Sequence, residues 1–209
     1  MPMKVDTKDC TALSDSELSE MADLCAAAGT PFDVGFLSKQ CEEWVLVTQA
    51  RDGGRLGGFS FCTLERIGGT PCVLVGLASF DRSHRPEAVL AFPDEDVLVG
   101  SRLSSPDGFD AFVGLEDVVP RPGHRTTGEE RAWIRRLAKR FASDGTVNDR
   151  TFTLQGTTDP SPALDYERSA NNGIDPSVGE FFDGLDRQRG DTIVAFGWAM
   201  AEHLDSLVK

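Results

Sequence analysis

VLVGLASFDRSHRPEAVL, residues 73–90, decides how the chain is read. An apolar run with strand character ends at Phe80. Arg82, His84, Arg85 and Pro86 follow, and the pattern then turns helical over 85–92. A cationic corner between a strand mouth and a helix N-terminus is suited to an anion, because unpaired N–H groups and the helix dipole both favour negative charge there. Arg82 and Arg85 are the phosphate candidates, since arginine makes bidentate contacts to oxyanions. His84 reads as a turn residue, and an ordinary solvated turn is the competing reading of the whole corner.

Upstream, the strand at 71–80 is the third of a set. WVLVTQA (44–50) and RLGGFSFCTLERI (55–67) precede it, joined by RDGG and by Gly68-Gly69. Glycine-bearing turns between strand runs indicate an antiparallel meander. Phe59, Phe61 and Thr63 share a face, and Trp44 reads as a packing anchor at the strand entry. Two helices come first. Residues 13–28 carry a capping box at Ser14 and Glu17, with Leu18, Met21, Cys25 and Ala28 at helical spacing. A shorter helix runs from Asp33 to about Glu42, with Phe36, Leu37 and Gln40 inward.

Downstream, DVLVGSRL (96–103) is nearly all apolar, as a central strand buried on both faces requires. Ser104-Ser105-Pro106 caps a helix to about Leu115, with Phe109 and Phe112 inward. Residues 118–125 are extended, since Pro120 and Pro122 forbid helix. Thr127 and Glu130 cap a helix over 127–142 whose stripe is Trp133, Ile134, Leu137, Ala138 and Phe141. A strand at 150–156, a polar loop at 157–178, a helical turn at EFFDGL, an apolar strand at 191–200 and a short helix at 201–209 complete the reading. The division is a core at 1–118 and a C-terminal extension at 119–209 packed on the same sheet.

The totals narrow the function. The 209 residues are 40% hydrophobic and 26% charged, with a formal charge of -13, values of a soluble globular chain. The acidity disfavours nucleic acid, which needs a basic surface. No run is long enough to span a bilayer and the N-terminus lacks a signal-peptide core, so no membrane partner and a cytoplasmic location are expected. The five cysteines are scattered and odd in number, which argues against a disulfide framework, and the three histidines form no ligand pair, so no metal is expected.

The order helix, helix, three-strand meander, basic turn, helix, buried strand, helix over residues 13–118 resembles the GNAT (Gcn5-related) N-acetyltransferase superfamily. Arg85-x-x-Ala88 falls in register with the opening of that family's pyrophosphate loop. DVLVGSRLSSPDGFDAFVGLEDVVPRP is similar to its fifth strand, following helix and run-out, and RDGG with R-L-G-G-F to its second and third strands. The resemblance implies an α/β (α+β) fold, a mixed, mostly antiparallel sheet flanked by helices. It also implies acetyl-CoA or another acyl-CoA as co-substrate and an amine acceptor, a small molecule or a protein, cationic by attraction to the acidic surface. Leu77, Ala78, Ser79 and Phe80 would present the main-chain donor to the thioester, and Arg82, Arg85 and Ala88 would hold the diphosphate. The final strand would complete the sheet in cis or across a homodimer.

For the chemistry, Glu65 on the third strand is the candidate base, against its reading as a solvated edge charge. Ser105 is the candidate proton source through a water, against its reading as a helix cap. Tyr166, the one tyrosine, lies far downstream and is not assigned. Arg131, Arg135, Arg136, Lys139 and Arg140 form two i, i+4 rows, read as a solvated face pairing with carboxylates, or else as a dock for the 3′-phosphate of CoA. The basic turn lacks both family glycines and carries Glu87, and 85–92 allows about two helical turns where the family has several. The alternatives are a truncated crossover or a segment lost near Leu90 and Ala91. Hence a second reading stands beside the enzyme: a catalytically inactive GNAT-fold binding or partner-interaction protein.

Overall fold

A computed structural model describes residues 4–28, 32–80, 95–141, 146–156 and 175–203. The first described element is a strand that the sequence pattern does not suggest, β1 (Lys4–Asp9), which runs antiparallel to β2 (Leu46–Asp52) at the sheet edge. Its residues are almost all exposed, so no buried alternation marks it. Between them come α1 (Asp15–Ala27) and α2 (Val34–Glu43). The Ser14 capping box is formed: the Glu17 N–H donates to Ser14 Oγ at 3.3 Å and the Ser14 N–H to Glu17 Oε2 at 2.9 Å. Asp33 caps α2 by accepting from the Phe36 N–H at 2.8 Å.

The meander follows as expected, with β2, β3 (Arg55–Ile67) and β4 (Thr70–Phe80) antiparallel in sequence order. Both connections have two glycines at positive φ, 57° and 93° at Gly53 and Gly54, and 62° and 93° at Gly68 and Gly69. Two consecutive left-handed residues make the tight hairpin turn whose twist matches the strands. β2 begins two residues later than the pattern, because Trp44 closes α2 by donating its main-chain N–H to Gln40 O.

β5 (Val97–Leu103), buried at all seven residues, lies parallel to β4. β9 (Thr192–Ala199) pairs antiparallel with β5 in the same chain, so the late apolar run joins the sheet in cis. The strand order is β1-β2-β3-β4-β5-β9-β8-β7, with β7 at Val147–Asn148 and β8 at Thr153–Leu154, and β6 (Glu116–Val119) pairs β9. Among the described residues, β4–β5 is the one parallel pair. The fold is mixed α/β, a mostly antiparallel sheet flanked by helices.

Two larger cores lie under helices. Leu18, Met21, Cys25 and Leu37 pack on Val47, Phe59, Phe61 and Leu77. α3 (Gly128–Phe141) sets Trp133, Ile134, Leu137 and Phe141 in a cluster with Leu74, Leu98 and Phe196. Val73, Val97 and Val99, alternating with the helix-facing residues, form a third cluster with Leu115 against it.

Three expectations change. The helix read over 105–115 is a shorter 3-10 turn, Pro106–Phe112, because Gly108 weakens it and Gly114, at φ 90°, turns the chain into β6. The strand read over 150–156 shrinks to two residues. The Arg150 and Thr151 N–H groups donate to Asn148 Oδ1 at 3.0 and 3.4 Å, and Phe152 is left-handed at φ 63°, so side-chain bonding competes with the ladder there. At the C-terminal end the helix expected over 201–209 is a 3-10 turn at Ala201–His203, and its remainder, 204–209, lies outside the described residues. The short helix at 85–92 also lies outside them.

Candidate functional site

β4 and β5 pair for only four positions, from Cys72 with Leu98 to Val75 with Ser101. β4 then runs on through 76–80 with no β5 partner, while Ala78, Ser79 and Phe80 stay paired to Ser60, Phe59 and Gly58 of β3. β5 likewise stays on β9, Arg102 opposite Val194 and Leu103 opposite Ile193. Each strand is held on its outer side, and the two part between.

The cause is local. Ser60 pairs with Ala78 and Cys62 with Val75, so Phe61 faces two residues, Gly76 and Leu77. An extra residue bends its strand and raises the twist. Ser101 fixes where the parting begins, its Oγ donating to Val75 O at 2.7 Å across the last pair. The β4 main chain beyond this point keeps its β3-side bonds, so its other polar groups face the gap rather than a ladder.

Trp44 closes the vertex on the helix side. A Cβ on Gly76 would stand 2.1 Å from two atoms of the indole, so the ring rests directly on the Gly76 main chain. Trp44 Nε1 donates to Gln40 Oε1 at 3.2 Å, and the Phe141 ring centroid is 6.5 Å away. Arg102, 5% exposed, lays its guanidinium 5.5 Å from the centre of the Phe141 ring. Burial pulls its pKa down to about 10, opposed by the Glu43 carboxylate.

Of the expected site residues, Leu77, Ala78 and Ser79 are buried on the β4 limb just past the vertex, and Phe80 continues the same main chain. Ser105 precedes the Pro106–Phe112 turn. Because β4 and β5 are parallel, it lies at the same end of the sheet as 77–80. Glu65 does not come together with them. It pairs with Cys72, four residues before Gly76, and its Oε2 is 3.1 Å from Arg140 Nη2. At about 3.3 Å per residue that is on the order of 13 Å from the vertex. Arg82, His84, Arg85, Ala88 and Tyr166 lie outside the described residues.

Gly76, Ser101 and Arg102 are functional positions that the sequence pattern does not single out. A glycine inside an apolar strand and an arginine inside a buried run were the available signals.

Other reactive groups serve the fold. Burial pushes the Cys10 thiol up to about 12 and Cys62 up to about 11, so neither is a ready thiolate. Four of the α3 cations have partners within the chain: Arg131 donates to Thr126 O at 2.8 Å, Arg135 pairs with Asp149, Arg136 lies 4.8 Å from the Trp133 ring centre, and Arg140 meets Glu65. His124 Nε2 lies 2.9 Å from Glu130 Oε1 at the start of this helix. Among the described residues no cluster of histidine, cysteine or carboxylate suits a metal, and no helix is long and apolar enough to cross a membrane.

No family model matches the chain, and no curated protein matches it. Solved structures do. A ribosomal-protein-alanine N-acetyltransferase from Brucella melitensis biovar Abortus 2308 is 19% identical, covering 41% of this chain and 61% of its own, with a TM-score of 0.32. An aminoglycoside N-acetyltransferase solved with CoA is 14% identical, with 41% and 61% covered and a TM-score of 0.29. An aminoglycoside acetyltransferase from an uncultured soil metagenomic sample is 13% identical, with 41% and 62% covered and a TM-score of 0.27. The chain thus spans 61 to 62% of the length of these structures.

Proposed function

We propose that this protein is an acyl-CoA-dependent N-acyltransferase. The observation that carries the reading is the parting of β4 and β5 after Val75 and Ser101, with both strands held on their outer sides. A pantetheine arm is a narrow, extended chain with two amides. In the gap it takes the place of a missing strand, its amides meeting main-chain groups of 76–80 as an added strand would. The thioester then lies near the vertex, where a β4 N–H at 77–80 polarises its carbonyl. A donor fixed by the fold acts on the developing oxyanion without reorganising. Arg82, Arg85 and Ala88, which follow β4 in the sequence, would take the diphosphate.

The reaction is direct transfer. The neutral amine nitrogen attacks the thioester carbon, the C–S bond breaks, the amine loses one proton and the departing thiolate gains one. Most of the rate comes from alignment of the two reactants. Ser105, at the mouth of the gap, supplies the thiolate proton through a water. Glu65, ion-paired to Arg140 at the other end of the hairpin, is given no part at the vertex. The acceptor is an amine, on a small molecule or a protein, and the charge of -13 favours a cationic one.

The test is a thermal melt with acetyl-CoA, followed by thiol release in the presence of a panel of amines. A ligand that binds only the folded state raises Tm by mass action, so about 1 mM acetyl-CoA should raise it by several degrees. Arg85→Glu should weaken acetyl-CoA affinity at least about tenfold, as expected for a lost charge-assisted phosphate contact, and shrink the shift accordingly. No shift in wild type, with no effect of Arg85→Glu, overturns the reading. A shift with no thiol release from any amine favours the binding-module alternative, which the Glu65–Arg140 pairing supports.

A further inference from the structure

The vertex is closed by a side chain from a distant part of the chain, and this bears on which acyl group fits. Resting on the acyltransferase reading above, we infer that Trp44 sets the length of acyl group the protein accepts.

Gly76 is the first β4 residue beyond the last pair with β5. Its missing Cβ is what admits the indole, since any Cβ would stand 2.1 Å from the ring. The ring is fixed from three sides, by Gln40 Oε1 on its Nε1 at 3.2 Å, by Phe141, and by the Gly76 main chain below. It is thus a preformed wall and not a loose side chain. The opposite face of the vertex is filled by Val75 and Val99, and Ser101 is tied to Val75 O.

A thioester reaching in from the mouth has its sulfur towards Phe80 and its acyl carbons towards Gly76. Each added methylene pushes the acyl tail towards the indole. Trp44 is not part of the main-chain donor set, so it affects tail length and leaves the pantetheine grip alone. A short acyl group is the expected donor, and removing the indole opens room for longer ones.

The test measures the dissociation constants of acetyl-CoA and octanoyl-CoA for wild type, Trp44→Phe and Trp44→Ala. The ratio of the two constants is the readout, because a partly unfolded preparation scales both alike. One methylene against a wall is worth roughly 10- to 200-fold in discrimination, so the ratio should fall at least about tenfold in Trp44→Ala and by less in Trp44→Phe. Should Trp44→Ala not fold, Trp44→Phe alone decides by the same ratio. A ratio unchanged within about twofold, with acetyl-CoA still bound, overturns the assignment of Trp44 and leaves the acyltransferase reading standing. Binding of neither acyl-CoA to folded wild type overturns that reading and this one with it.

Discussion

Gly76 and Ser101 hold the geometry of the vertex between them, one by having no side chain and one by a single hydroxyl. Gly76→Ala forces a methyl into the Trp44 ring and should destabilise by about 1–3 kcal/mol, the usual cost of overpacking. Urea midpoints measure it, and Gly76→Ala combined with Trp44→Ala should recover part of the loss, since contacting residues are not additive. Ser101→Ala leaves Val75 O without its 2.7 Å donor and should cost about 1–3 kcal/mol by the same assay. At this scale the sequence shows what is local. Ser14 with Glu17 and Thr127 with Glu130 are legible because both partners sit three residues apart. Trp44 on Gly76 is not legible, because 32 residues and two turns of the meander separate them (44 to 76), and only the folded sheet brings the ring down on the glycine.

Among the elements, those with a strong period are the ones the sequence states well. β3 has the expected bounds, and α1, α2 and α3 begin at their caps. β1 is not legible because KVDTKD faces solvent on an edge, where no apolar alternation is needed. The turn at Pro106–Phe112 is shorter than its pattern suggests, because its inward Phe109 and Phe112 fit a helix as well as a 3-10 turn. The start of α1 gives a pH test. The Lys8 ammonium donates to Glu17, as does the Ser14 N–H, and together they hold this carboxyl down at about 2 against an ordinary 4.5. The folded pKa is the depressed one, so the unfolded chain binds more protons between these values. The stabilisation is complete above about 4.5 and is lost as pH falls towards 2. Glu17→Gln should therefore lower stability at neutral pH and flatten its pH dependence across that window, measured by denaturation midpoints at a series of pH values.

At the scale of the molecule, the described strands form one nine-stranded sheet with a single parallel junction, and that junction is where it opens. Open sheets take ligands at the carboxyl ends of parallel strands where the strand order breaks. Here β4 and β5 end side by side, and β9 on the far side of β5 runs the other way. The meander and the buried strand were readable from hydrophobic period and glycine turns. The extent of the opening was not, since it depends on a bulge opposite Phe61, which no single strand's pattern records. The acidic surface has its own consequence: if it draws in a cationic amine, raising salt from about 50 to 500 mM should raise the KM for a polyamine several-fold and leave that for a neutral amine unchanged. The gap itself is tested most directly by titrating the isotope-labelled protein with acetyl-CoA and following main-chain amide resonances. The largest changes are expected at 76–80 and 102–105, on the two limbs that face each other. Resonances there that stay put while acetyl-CoA reaches about 1 mM, enough to saturate a working site, would contradict it.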